Sequence, residues 1–224
     1  MKSGEELSLL RVGADVAKIG ANAFLEAISE NVTEITVAAR AVLEMDRALG
    51  ALFPDGATSA YAYSHFGDHT LTPHHHPTGR RLRRGDVVAL NVFPVVWGYC
   101  MELERTFVFG TPTLEQERAL SAVNEAFEAA KARVVPGASM ADLDRLTRDL
   151  VEPGVSIPDL SGFRHSDVML VTEEGASPSL GSYGLADWAR RTSDRAATSR
   201  RTASSGRRSW CPSSGALQVW FSVL

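Results

Sequence analysis

The chain has 224 residues, of which 44% are apolar and 22% charged, and its formal net charge is −4. These values are ordinary for a globular domain that is large enough to bury a sizeable core. The slightly acidic balance gives no electrostatic reason to expect nucleic-acid binding, because proteins with that function usually carry a basic face. No apolar run is long enough to span a membrane, so we expect no membrane partner either.

The two cysteines, Cys100 and Cys211, are too few for a disulfide framework. Charged and polar residues follow Met1, where a secretory signal would be apolar. We therefore expect a cytoplasmic protein with reduced thiols. Cys100 is expected to be a small, buried apolar residue and not a nucleophile, since the sequence places no base beside it.

Two helices are predicted at the start of the chain. Apolar residues recur every three or four positions from Gly4 to Ser29, a spacing that puts them on one helical face. Thr33 or Thr36 can cap a second helix, which is predicted to end near Gly50.

Three strands are predicted next, over Ala57 to Phe66, Val87 to Val92 and Tyr99 to Phe109. On the last of these, side chains alternate between faces, so Glu102 and Glu104 share one face. Two carboxylates framed by apolar sequence are costly unless a cation or a protonated group meets them. This cost makes the segment a candidate functional site.

Two more helices follow the predicted strands. Thr113 and Gln116 have the spacing of a capping box, and the helix that they begin is predicted to end before Pro136. A fourth helix is predicted from Ser139 to about Leu150. The order of helix, helix, strands, helix, helix is typical of an α+β fold.

Residues 85–110, GDVVALNVFPVVWGYCMELERTFVFG, resemble the pita-bread superfamily, which holds methionine aminopeptidase, prolidase, aminopeptidase P and creatinase. The run LNVFP, followed by GY and LERT, is most similar to creatinase, the metal-independent branch. The resemblance implies a catalytic domain over residues 1–176, with helices packed on a curved, mainly antiparallel sheet. It also implies a homodimer that acts on a small-molecule substrate.

The resemblance also implies roles for individual residues. Counting back from Gly85 without a gap, His74 falls on the histidine that shuttles a proton in creatinase. Glu104 falls on the glutamate that holds the substrate guanidinium, and Glu152, in an EPG motif, would be a second such carboxylate. Candidate accessory residues are Asn91, Tyr99 and Glu102.

The metallopeptidase members bind two metal ions, and this chain departs from their ligand set. Asn91 and Ser166 stand where those members have carboxylate ligands, and one histidine ligand is missing. Glu102 and Glu152 keep carboxylates, but two carboxylates alone are a poor transition-metal site. We therefore predict no cofactor, and two divalent metal ions are the alternative.

Three neighbouring histidines, His74, His75 and His76, lie between two prolines. On an extended chain adjacent side chains point in opposite directions, so only His74 and His76 could share a face. A zinc site needs a third ligand, and the sequence signals none. From the residues alone, a metal site and a solvated polar loop are both open.

The second half of the catalytic domain is incomplete by comparison with the family. There, several dozen residues, including a glycine-rich motif with a catalytic histidine, separate the fourth helix from the EPG strand. Here the two adjoin, which predicts an internal deletion between residues 150 and 151. Residues 177–224 form a low-complexity tail rich in arginine and serine, which is predicted to be disordered.

Three functions follow from these observations. The first is a creatinase-like hydrolase that cleaves a C–N bond of a small guanidino or amide substrate without a metal ion. The second is a metal-dependent Xaa-Pro aminopeptidase or dipeptidase, against which Asn91 and Ser166 argue. The third is an inactive, truncated remnant or pseudoenzyme, which the missing segment supports. On the same ground the chain as written is predicted to be inactive.

Overall fold

The computed structural model describes residues 2–72, 74–151, 163, 165–172, 175–177 and 219–223. Glu152 and most of the arginine- and serine-rich tail lie outside these residues, as does the rest of the stretch 152–162 that follows the predicted deletion. None of the described helices combines the length and apolar character needed to cross a bilayer.

The four predicted helices are confirmed, and local capping explains where they begin. They are α1 Gly4–Ala27, α2 Glu34–Leu52, α3 Leu114–Lys131 and α4 Met140–Val151. Thr33 Oγ1 accepts a hydrogen bond from the backbone N–H of Thr36 at 3.2 Å and so caps α2. Thr113 and Gln116 form the predicted capping box at the start of α3.

The described strands form one mainly antiparallel sheet. They are β1 Thr58–Phe66, β2 Val87–Val96, β3 Tyr99–Cys100, β4 Leu103–Val108, β5 His165–Thr172, β6 Gly175–Ser177 and β7 Val219–Val223. The order along the sheet is β1-β2-β4-β5-β6, with β3 beside β2 and β7 parallel to β5. β7 lies within the region predicted to be disordered, in a stretch whose apolar, β-prone residues favour strand pairing.

The predicted strand boundaries differ from the observed ones around Pro94. β2 continues past the predicted end at Val92 to Val96, with Pro94 opposite Ala60 of β1. The carbonyl of Pro94 accepts a hydrogen bond from the backbone N–H of Met101, so its missing N–H would point the same way. In this register Met101 is directly opposite Pro94, so the reciprocal hydrogen bond from residue 94 to the Met101 carbonyl is lost at the break between β3 and β4.

The two faces of the sheet are covered by different helices. α1 and α2 pack on one face, against buried residues that include Val88, Leu90 and Val92. α3 packs against Val87 and the partly buried Val108, which point to the other face. Asn91 and Glu104 lie on this second face.

Candidate active site

A row of aligned residues crosses four strands of the sheet. Tyr63 is opposite Asn91, Asn91 is opposite Glu104, and Glu104 is opposite Ser166. Residues that are paired in this way share one face, with Cβ atoms about 4.5–5.5 Å apart. Asn91, Glu104 and Ser166 are 0%, 1% and 2% exposed. The sheet therefore holds a buried polar row, with Glu104 as its one carboxylate.

Glu104 is held from both sides of its strand. Its backbone N–H donates to Ser166 Oγ at 3.1 Å, and its Oε1 lies 3.4 Å from His74 Nε2. Arg105, which points to the opposite face, donates from its guanidinium to the carbonyls of Glu104 and Ser166 at 2.7 and 2.6 Å. This buried guanidinium joins β4 to β5 and so positions the Glu104 and Ser166 part of the row.

His74 reaches the row from the loop before β2. Its φ is +56°, in the left-handed region that non-glycine residues rarely adopt, and such strain often marks a functional position. The ring stacks on Tyr63 with 5.5 Å between ring centres and meets the Phe93 ring edge-on at 5.6 Å. The side chain is 51% exposed, so His74 connects solvent with the buried Glu104 carboxylate.

The predicted alternation of the three histidines is confirmed. His74 and His76 both contact the Tyr63 ring, at 5.5 and 6.3 Å between ring centres. His75 points the other way and lies against His65 and His69, at 4.6 and 4.9 Å. The loop therefore contacts two groups of side chains, which adjoin because the Tyr63 ring also stacks on His65 with 6.2 Å between ring centres.

Glu102 lies in the two-residue link between β3 and β4 and is partly exposed. Cys100, just before this link, was expected to be buried, and that expectation is wrong because the residue is exposed at the end of the short strand β3. Partial desolvation of its thiol, together with the nearby charge of Glu102, raises the pKa of Cys100. A raised pKa disfavours the thiolate form, so Cys100 is poorly suited to act as a nucleophile.

Tyr99 is not brought to the row. It pairs with Val96, whose side chain lies in the core formed with α1 and α2. Its hydroxyl donates to Glu6 Oε1 at 2.5 Å, near the start of α1. This hydrogen bond raises the pKa of Tyr99 and lowers the pKa of Glu6. Tyr99 thus ties β3 to α1 on the opposite side of the sheet.

The sequence did not single out Tyr63 and Phe93 as part of the site. Both flank His74, and their rings lie 5.8 Å apart. The period-two pattern places both on the same face as Asn91, and this was the available signal. Their proximity to His74 depends on the path of the loop, which no local pattern predicts.

Comparison with known families shows which family this chain belongs to. The model of metallopeptidase family M24 matches residues 8–166, which is more than half of the chain. The chain belongs to metallopeptidase family M24. Its hydrolase ancestry and pita-bread fold, both implied by the sequence resemblance, are thereby confirmed.

Curated relatives include creatinase from Bacillus sp. strain B-0618, 39% identical over 106 residues, which cover 47% of this chain and 26% of the relative. Another relative is an uncharacterized peptidase of Staphylococcus aureus strain MW2, 26% identical over 226 residues, with 78% and 61% covered. The chain thus spans between a quarter and three fifths of the length of these relatives.

Solved structures of similar fold include prolidase from Pyrococcus furiosus, with a TM-score of 0.64 at 23% identity over 82% of this chain and 51% of that one. Xaa-Pro dipeptidase from Bacillus anthracis has a TM-score of 0.61 at 25% identity, with 68% and 42% covered. At these identities the structural similarity shows the fold alone. The activity of this chain has to be argued from its candidate site.

Proposed function

We propose that this chain derives from a creatinase-like hydrolase that cleaves a C–N bond of a small guanidino or amide substrate without a metal ion. The observation that carries the proposal is the pairing of half-exposed His74 with the buried carboxylate of Glu104 at 3.4 Å. The similarity to creatinase, at 39% identity, supports the same branch of the family. A homodimer acting on a small molecule belongs to this proposal, and sedimentation would test the assembly.

The surroundings of Glu104 favour a cationic substrate group. A carboxylate accepts paired hydrogen bonds from a guanidinium in a planar fork, and burial strengthens that attraction. The Tyr63 and Phe93 rings lie beside His74 at the exposed end of the site. Aromatic faces attract cations, so these rings would add to the attraction of Glu104. Glu152, the proposed second carboxylate, lies outside the described residues and stays a prediction.

In the proposed reaction His74 takes a proton from water and passes it to the leaving nitrogen. An imidazole suits both steps, because its unperturbed pKa of about 6.5 lies close to neutral pH. The hydroxide equivalent adds to the substrate carbon, and the C–N bond breaks as the nitrogen accepts the proton. Glu104, next to His74 Nε2, is placed to stabilise the imidazolium that exists between the two transfers.

The described donor atoms support a reaction without the family's two metal ions. At the ligand positions, Asn91 offers a neutral amide, and its Oδ1 has no hydrogen-bond partner within the described part of the chain. Ser166 offers a hydroxyl that already accepts from the Glu104 N–H. Glu102 is the one carboxylate among these described positions. Neutral amide and hydroxyl oxygens are weak ligands for transition metals, so this set does not fit a dinuclear centre.

The test is an assay of this chain and of an intact homologue on creatine and on Xaa-Pro dipeptides, with and without a metal chelator. We expect the homologue to hydrolyse the guanidino substrate equally in both conditions. Replacing its counterpart of His74 with alanine should lower kcat by about a hundredfold or more. The counterpart of His76 is the matched control, because that residue lies against the same Tyr63 ring without contacting Glu104 among the described contacts. Chelator-sensitive cleavage of Xaa-Pro dipeptides would contradict the proposal.

A metal-dependent Xaa-Pro peptidase is the second candidate function. The names of the structural neighbours favour it, since they include a prolidase and an Xaa-Pro dipeptidase. Glu102 also keeps a carboxylate at a ligand position. Metal content distinguishes the two candidates: about two bound divalent ions per protomer of the purified homologue would favour the peptidase.

A further inference from the structure

A second group of ligand side chains includes His75 of the histidine loop and does not include Glu104. It consists of Glu34, His69 and His75, which we call the Glu34 cluster. One ligand atom of each residue lies within 4.8 Å of the ligand atoms of the other two. The three come from separate segments: the first residue of α2, the short 3-10 helix Gly67–Leu71, and the loop after it. None of them stands at a position where the family resemblance places a metal ligand.

Glu34 brings a carboxylate to this cluster, and its side chain is completely buried. Burial is the largest influence and raises its pKa, but hydrogen bonds from Thr78, Phe66 and His69 together lower the pKa of Glu34 below its usual value. The Thr78 hydroxyl and N–H donate to Oε2 at 2.7 and 3.0 Å, and the Phe66 N–H donates to Oε1 at 2.8 Å. These donors leave one side of the carboxylate open. On that side His69 Nδ1 lies 3.0 Å from Oε1 and 3.1 Å from Oε2.

The hydrogen bonds of His75 prepare one of its ring nitrogens for metal binding. Its Nδ1 lies 2.7 Å from the carbonyl oxygen of His76, which can only accept, so Nδ1 carries the proton. The other nitrogen, Nε2, therefore has its lone pair available, and such a bond also fixes the ring orientation of metal-binding histidines. His65 Nε2 donates to the His75 carbonyl at 2.9 Å and holds this part of the loop. His69 is 32% exposed and leaves a path for an ion to enter.

We infer that the Glu34 cluster binds a single divalent transition-metal ion of the Zn²⁺ class through Glu34, His69 and His75. Two imidazoles and one carboxylate form a common zinc ligand set, with a fourth position left for water. An ion bound there would neutralise the buried Glu34 charge and would take the place of the proton between Glu34 and His69. It would also join the start of α2 to the loop that carries His74, so its expected role is to stabilise that loop.

The test is zinc titration of the chelator-treated chain by calorimetry, combined with thermal unfolding. We expect one tight site per chain and a melting temperature that rises with zinc, as binding to the folded state alone requires. His75→Ala should abolish both effects, because it removes one ligand and leaves the buried Glu34 hydrogen bonds intact. His69→Ala provides a second, independent variant. Circular dichroism without metal checks that each variant is folded.

His76→Ala and His74→Ala are the matched controls, since both residues lie on the same loop, contact the Tyr63 ring and do not belong to the Glu34 cluster. Both variants should keep the single tight site and the full rise in melting temperature. Three results would overturn the inference: no saturable zinc binding by the folded chain, unchanged binding in His75→Ala, or equal losses in His75→Ala and His76→Ala. The last result would assign zinc binding to exposed histidines in general.

Discussion

At the scale of single residues, one step along the chain separates two environments. His74 and His76 turn toward Tyr63, whereas His75 turns toward His65 and His69. Alternation on an extended chain predicts this division. It does not predict that His74 meets the Glu104 carboxylate and that His75 lies near Glu34, because both carboxylates are distant in sequence.

His165 is a buried residue whose ionisation should affect stability. It stacks on Phe127 with 3.9 Å between ring centres, and burial, followed by the charges of Arg105 and Lys131, lowers its pKa well below the ordinary value. Between the lowered folded pKa and the unfolded pKa of about 6.5, only the unfolded state binds the proton. The free energy of unfolding should therefore fall as pH decreases below about 6.5.

Urea unfolding at about pH 7.5 and about pH 5.5 measures this effect. Between these two pH values the free energy of unfolding of the wild-type chain should fall by about 1 kcal/mol more than that of His165→Phe. The variant keeps an aromatic ring against Phe127 and cannot be protonated. His76→Ala, which removes an exposed histidine, should keep the wild-type dependence on pH. An identical pH dependence in wild type and His165→Phe would show that His165 is not held neutral.

At the scale of secondary-structure elements, the contact between α1 and α2 depends on a glycine. A Cβ at Gly20 would lie 2.6 Å from Sδ and 2.7 Å from Cγ of Met45, a residue that is itself completely buried. The close approach of the two helices therefore requires a residue without a side chain at position 20. Gly50 of α2 has no such constraint, because nothing lies within 4 Å of the corresponding Cβ position.

Gly20→Ala and Gly50→Ala form a matched pair that tests this packing. Gly50→Ala should raise the free energy of unfolding by about 0.5–1 kcal/mol, since alanine is the better helix former. Gly20→Ala should lower it, because overpacking a core costs about 1–3 kcal/mol and exceeds the same helix gain. Chemical denaturation of both variants gives the values. Equal stabilisation by both substitutions would mean that the helices are not in close contact at Gly20.

At the scale of the whole molecule, the chain holds part of a family domain. Its alignment with the Staphylococcus aureus peptidase runs over 226 positions and covers only 78% of these 224 residues, so the relative has positions that this chain lacks. The deletion between residues 150 and 151, which would account for such positions, stays a prediction. In the family the segment proposed to be missing carries a catalytic histidine and a strand of the sheet.

We predict that this chain, expressed as written, turns over family substrates far more slowly than an intact homologue. Catalytic groups have to be held within about half an ångström of their working positions, and a site with part of its sheet missing would be wetter and less rigid. The measurement is a side-by-side assay of the two proteins on the same substrates. Turnover within about tenfold of the homologue, lost on His74→Ala, would show that the missing segment is dispensable.

Much of the local structure could be predicted from sequence. Capping residues and apolar spacing located the four α-helices of the described residues, since these signals act within a few residues of each other. Alternation placed Glu104 and Arg105 on opposite faces, and the match to family M24 supplied the fold. Glu152 could not be compared, because it lies outside the described residues.

Only the tertiary structure decided which distant residues meet. Strand pairing aligned Ser166 and Tyr63 with Asn91 and Glu104, whereas Tyr99 was directed to Glu6 on the other face. Helix and loop packing also brought His69 and His75 to Glu34, a cluster that the sequence did not signal and that contains neither His74 nor His76. The physical reason is range: side-chain periodicity acts within one element, whereas register between strands and loop paths depend on the packing of the whole core.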